Sequence, residues 1–138
     1  MPWVIKNGKW IMNTCTGIVV IDELGSEEAV MVLEVAILDV KTGQNEAFEA
    51  AFQQASPLIA SIPGYVSHEL QHCVENPQRY VLLAYWQTLE AHTIGFRQSA
   101  HYQEWKRLLH HFYDPFPTVE HYVAVTLPPT APSPLPNA

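Results

Sequence analysis

Apolar and polar positions follow different rhythms along this chain, and each change of rhythm marks an element. Met31-Val-Leu-Glu-Val-Ala-Ile-Leu38 is nearly continuous apolar sequence rich in β-branched residues, the pattern of a strand covered on both faces. After a turn at Thr42-Gly43, Ala47, Phe48, Ala51, Phe52 and Ala55 recur at helical spacing. Pro57 cannot continue an undisturbed helix, so a kink or break is expected near Ser56, with Ser56 capping a restart through Leu58, Ile59 and Ile62. Pro63-Gly64 ends that stretch, and Tyr65 to Val74 reads as a strand up to the turn Glu75-Asn76-Pro77. Arg79-Tyr-Val-Leu-Leu-Ala-Tyr-Trp86 suits a covered pleated surface, and the short link makes these two strands a hairpin. Thr88 can cap a short helix through Leu89, His92 and Phe96. Ser99 can cap the next, whose apolar stripe is Tyr102, Trp105, Leu108, Leu109 and Phe112. Pro115-Phe116-Pro117 then leads into a last strand, Val119 to Val125. The order β-α-β-β-α-β over residues 31–127 predicts an α+β, ferredoxin-like domain whose second crossover is in two pieces.

The ends read differently. In residues 1–30, Trp3-Val4-Ile5 and Trp10-Ile11-Met12 flank Lys6-Asn7-Gly8-Lys9, and Asn-Gly is a hairpin signal because both residues tolerate positive φ. Asp22 to Glu28, with Gly25 and four acidic side chains, reads as a solvated connector. The segment Trp10 to Ile21 follows Lys6 and Lys9 as in a secretory leader, but Asn13, Thr14 and Thr16 interrupt it and no small-x-small cleavage site follows. Residues 128–138 contain five prolines and read as an extended tail outside the core.

Composition narrows the partners. A chain of 138 residues holds one domain with a real core. Only 15% of residues are charged, against about 25% in a typical soluble domain, so part of the surface is expected to be buried against a partner. The net charge of −7, with seven Lys and Arg in all, opposes phosphate binding and argues against nucleic acid. No apolar run approaches the ~20 residues of a membrane span. Two cysteines, Cys15 and Cys73, make neither a disulfide framework nor a Cys-x-x-Cys metal site, which fits a reduced, cytoplasmic setting.

Arg79-Tyr80 to Tyr85-Trp86, Leu89-Glu90-Ala91-His92, Gly95-Phe96-Arg97-x-Ser99, Tyr102-x-x-Trp105 and Phe116-Pro117-x-Val119-Glu120-His121-Tyr122 together resemble the antibiotic biosynthesis monooxygenase family of dimeric α/β-barrel proteins. The resemblance covers nearly all of residues 31–125. It implies a homodimer with two sheets packed face to face, helices outside, and a small, mostly apolar pocket between sheet and helices in each subunit. Members include cofactor-free quinone-forming oxygenases and haem-degrading enzymes, so fold transfers more readily than activity. Quinone-forming members resemble one another in an Asn four residues before the strand Trp, where this chain has Leu82. Haem-degrading members have an Asn in the first strand and a ligating His in the following helix, where this chain has Ala36 and about Lys106. Haem degradation is therefore not expected.

Several residues carry candidate chemistry. His68-Glu69-Leu70-Gln71-His72 matches the His-Glu-x-x-His zinc motif, which works only on a helix, where both imidazoles share a face. In a strand those residues lie roughly 13 Å apart, so no metal site is expected there. His110-His111 reads as a cationic helix end. His92, with Phe96 four residues on, is either a satisfied core histidine or a general base; Arg97 is either a solvated charge or an anion stabiliser. Trp86, Phe96, Tyr102, Trp105 and His121 are candidate pocket residues, and strand alternation lets only one of Tyr85 and Trp86 face the pocket. The leading expectation is a cofactor-independent monooxygenase acting on a small electron-rich aromatic or enol molecule, with His92 as base and Arg97 as stabiliser. The competing one is a non-catalytic dimer that binds a small apolar molecule.

Overall fold

The computed structural model describes residues 31–128 and, before them, four strands: β1 (Val4–Lys6), β2 (Lys9–Thr14), β3 (Gly17–Ile21) and β4 (Glu27–Ala29). These four pair antiparallel in chain order. The hairpin read around Asn7-Gly8 falls between β1 and β2, where Lys6 lies opposite Lys9; Asn7 and Gly8 themselves lie outside the described residues. The expected acidic connector is cut short, since Glu27 and Glu28 pair with Ile21 and Val20. Residues 22–26 and the proline-rich 129–138 lie outside the described residues.

From residue 31 the elements are β5 (Val32–Asp39), α1 (Asn45–Ala60), β6 (Tyr65–His72), β7 (Arg79–Trp86), a π-helix (Ala91–Phe96), α2 (Ala100–Leu109), a 3-10 turn (His110–Phe112) and β8 (Thr118–Tyr122). The second sheet has strand order β6-β7-β5-β8. This is the expected α+β ferredoxin-like arrangement. One sheet face carries the core: Ala36, Leu38, Leu82, Ala84 and Trp86 from the strands meet Phe48, Phe52, Ala55 and Ile59 of α1 and Trp105 and Leu109 of α2.

The other face explains the unalternating strands. On β5 and β7 every second residue is buried within the subunit, while the residues between them are only half-buried. Those are Leu33, Val35 and Ile37, which lie directly opposite Tyr85, Leu83 and Val81. An apolar face of this kind needs covering by something beyond this chain's own helices.

Two local features depart from or refine the sequence reading. α1 does not break at Ser56; it runs continuously from Asn45 to Ala60 with Pro57 inside. Pro57 has no N–H for the Gln53 carbonyl, but Ser56 Oγ donates to Phe52 O at 3.0 Å, and fully buried Ala55 and Ile59 anchor the turns on either side. The helix after Thr88 is a π-helix rather than an ordinary turn. Thr88 Oγ1 accepts from Ala91 N–H at 3.1 Å, and Gly64, at φ 90°, allows the close approach: an added Cβ would stand 2.6 Å from Ala91 Cβ.

Candidate functional site

A cavity of about 360 Å³ lies between the inner sheet face and the helical segment after β7. Its floor is every second residue of β5, namely Glu34, Ala36 and Leu38, with Leu82 of β7 and Val119 of β8. His92, Phe96 and Arg97 enter from the π-helix and its end, Tyr102 and Trp105 from α2, and His110, Tyr113, Phe116 and Pro117 close the far side.

The π-turn shapes this wall. Arg97 N–H donates to His92 O at 3.1 Å, the i→i+5 bond that defines the geometry. Residue 97 is thereby seated over residue 92, so imidazole and guanidinium reach the same cavity; the narrower α-turn would rotate Arg97 away.

Below His92 sits a group that sequence reading passed over. Glu34 is 4% exposed. Trp86 Nε1 donates to its Oε1 at 3.0 Å, and His92 Nε2 lies 3.3 Å from the same oxygen. On its other side His92 Nδ1 lies 2.7 Å from His121 Nε2. Glu34 and His121 face one another across the β5–β8 ladder, with Ala84 opposite Glu34 on β7. The small Ala84 leaves room for the Trp86 ring to reach across diagonally.

Burial pushes the Glu34 carboxyl up to about 7, against the opposing pull of the Trp86 hydrogen bond and the Arg97 charge. Burial, then the nearby Arg97 and His121, push His92 down to about 3. His121 is lowered too, by burial and by Arg97. The close Glu34–His92 contact is therefore not a standing ion pair at pH 7: the imidazole is uncharged, and the carboxyl beside it sits near half-protonation.

His92, Arg97, Phe96, Tyr102 and Trp105 all line the cavity. Trp86 faces the same side but stands behind the wall, fully buried, its ring stacked on His92 at 5.2 Å and on Phe96 at 5.9 Å. Tyr85 points to the outer face. His121 reaches the site through His92 rather than by lining the cavity. His110, read from sequence as a helix-end charge, lines the cavity instead, as do Tyr113, which carries no sequence signal, and Phe116, which the sequence offers only as part of a turn and of the family motif. The one sequence signal for Glu34 was its isolation as the sole charged residue in the apolar run Met31 to Leu38.

The His68–His72 motif lies in β6. His68 Nε2 is 3.2 Å from Ser56 Oγ, while His72 Nε2 meets Pro77 O at 2.6 Å, so the two rings serve different partners. Among the described residues no three His, Cys, Asp or Glu side chains are grouped to hold a metal ion. No described helix is long and apolar enough to cross a membrane.

Comparison with known proteins agrees with this architecture. The uncharacterized protein YczJ of Bacillus subtilis is 55% identical over 92 residues, covering 67% of this chain and 97% of its own. A Bordetella bronchiseptica protein assigned to the antibiotic biosynthesis monooxygenases shares 37% identity and superposes with a TM-score of 0.68, over 71% of this chain and 100% of that one. SnoaB, a cofactor-independent oxygenase from Streptomyces nogalater, shares 26% identity with a TM-score of 0.52, over 79% of this chain and all of its own. The family model for antibiotic biosynthesis monooxygenase matches residues 31–108, more than half of the chain and the elements that build the cavity from β5 to α2, and this protein belongs to that family.

Proposed function

We propose that the protein is a cytoplasmic, homodimeric, cofactor-independent monooxygenase that oxidises a small electron-rich aromatic or enol molecule held in the cavity. The observation that carries this reading is the Glu34–His92 pair facing an apolar cavity beside Arg97. A carboxyl held near 7 is matched to general-base work at neutral pH. His92, held near 3, is too weak a base to act alone, so the base is assigned to Glu34, with His92 as its partner. Arg97 balances the anion left behind.

In this chemistry Glu34 removes a proton from an activated substrate carbon. The carbanion passes electrons to O2 and a C–O bond forms. The peroxide oxygen takes up a proton, a second proton leaves the same carbon, the O–O bond breaks, and the products are a carbonyl and water. Carbon supplies all four electrons that O2 accepts, so no further reductant enters the balance.

The test is oxygen uptake with a panel of quinols and anthrone-type phenols, without added flavin, metal or haem. Turnover should rise with pH through about 7, and Glu34→Gln should lower kcat by about 10² or more. A binding role is favoured by one feature, Leu82 in the cavity floor, which offers substrate no hydrogen bond. Tight binding of such molecules without oxygen uptake would establish that reading instead.

A further inference from the structure

We propose that Glu34, His92 and His121 form a proton relay, and that His121 is the positioning residue through which the substrate's proton is held away from the reacting carbon. The inference rests on the oxygenase reading of the cavity and adds to it the path of the proton.

The chain of contacts is continuous across three elements. Glu34 on β5 meets His92 Nε2 at 3.3 Å, and His92 Nδ1 meets His121 Nε2 on β8 at 2.7 Å. With substrate in the cavity, Glu34 has two side-chain neighbours in hydrogen-bond reach, Trp86 and His92. Indole only donates and cannot take a proton from the carboxyl. Imidazole can accept at one nitrogen while releasing from the other. His121 is only partly buried, whereas Glu34 and His92 are 4% and 3% exposed, so the relay runs from the interior outward.

Atoms balance along the path. The substrate C–H bond breaks and Glu34 gains a proton. Glu34 passes it to His92 Nε2 as His92 Nδ1–H passes its own to His121 Nε2, and His121 releases Nδ1–H to water. The reverse passage supplies the peroxide oxygen and restores both tautomers.

The charges facing the relay set its character. Arg97 at the π-helix end lowers both imidazoles; Tyr102 on α2, and His110 and Tyr113 across the cavity, are further titratable groups facing it. Imidazolium is disfavoured at both stations, so the proton passes through rather than parks. A protonated Glu34 left beside the carbanion would return its proton before O2 could react. Two imidazoles of separation prevent that.

The experiment uses full-length protein and His121→Ala. With a turned-over phenol from the panel, kcat should fall roughly tenfold, less than the 10² a base itself carries, with KM unmoved, and added imidazole should restore the rate. An unchanged kcat, or a loss that imidazole does not relieve, overturns the relay. A second measurement needs no turnover: in nitrogen-15 spectra of wild-type protein, His92 Nδ1 and His121 Nε2 should shift together on pH titration, and His121→Ala should change the His92 tautomer balance. Independent titration of the two rings overturns the relay even if no substrate is ever found, whereas coupled titration with no oxygen uptake upholds the path and rejects the oxygenase reading.

Discussion

Leu33 and Glu34 are adjacent in sequence and stand on opposite faces of β5, and those faces have opposite chemistry. The centre of the outer face presents three cross-strand apolar pairs, Leu33–Tyr85, Val35–Leu83 and Ile37–Val81, flanked on the same face by Glu69, Glu120 and the Asp39–Arg79 ion pair. The inner face buries the Glu34 carboxyl and the His92 imidazole among aromatic rings, with the half-buried His121 imidazole beside them. The apolar centre of that outer face is what a second sheet covers well, because pairing there needs no directional partner. Buried titratable groups are costly without hydrogen bonds and are retained where their proton is used. On the proposed reading, one strand serves assembly on one side and chemistry on the other.

The largest effect should come from breaking the outer face. Val35→Asp would place a carboxylate in the proposed dimer interface, and two-fold symmetry would repeat it. Each unpaired buried charge costs several kcal/mol, so the dissociation constant should rise by about 10³ or more. Sedimentation would show a dimer becoming a monomer with its circular dichroism unchanged. Wild-type protein that is monomeric at micromolar concentration would end the assembly reading.

The inner face should reveal itself in the pH dependence of stability. Glu34 has an ordinary value of 4.5 and about 7 when folded, so the folded state binds more protons and stability falls as pH rises through that window. His92 has an ordinary value of 6.5 and about 3 when folded, so the unfolded state binds more protons and stability rises with pH between those values. From 4.5 to 6.5 the two slopes cancel. Glu34→Gln should expose the rising slope and His92→Phe the falling one, each approaching about 1.4 kcal/mol per pH unit. Urea titrations at several pH values measure this, and identical slopes in both variants would refute the raised Glu34 and lowered His92.

The smallest effect is expected at β6. His68→Ala loses contacts to Tyr65 and Ser56 and should cost about 1 kcal/mol. It should leave metal content at background, as should His72→Ala. Stoichiometric zinc lost in both variants would contradict the strand separation.

The sequence by itself determined the order of elements, the two-piece second crossover and the family, because apolar periodicity, the Thr88 and Ser99 caps and the Pro-Gly turns are local signals. It also placed five of the seven candidate site residues at the cavity wall. Only the tertiary structure decided that Trp86 backs the site while Tyr85 faces out, since a period of two defines two faces without saying which one the helices cover. Only it could find Glu34, whose role depends on a tryptophan 52 residues away and a histidine brought round by a π-turn. A carboxyl's proton affinity is set by what surrounds it in space, and those neighbours come from three separate elements that no local pattern joins.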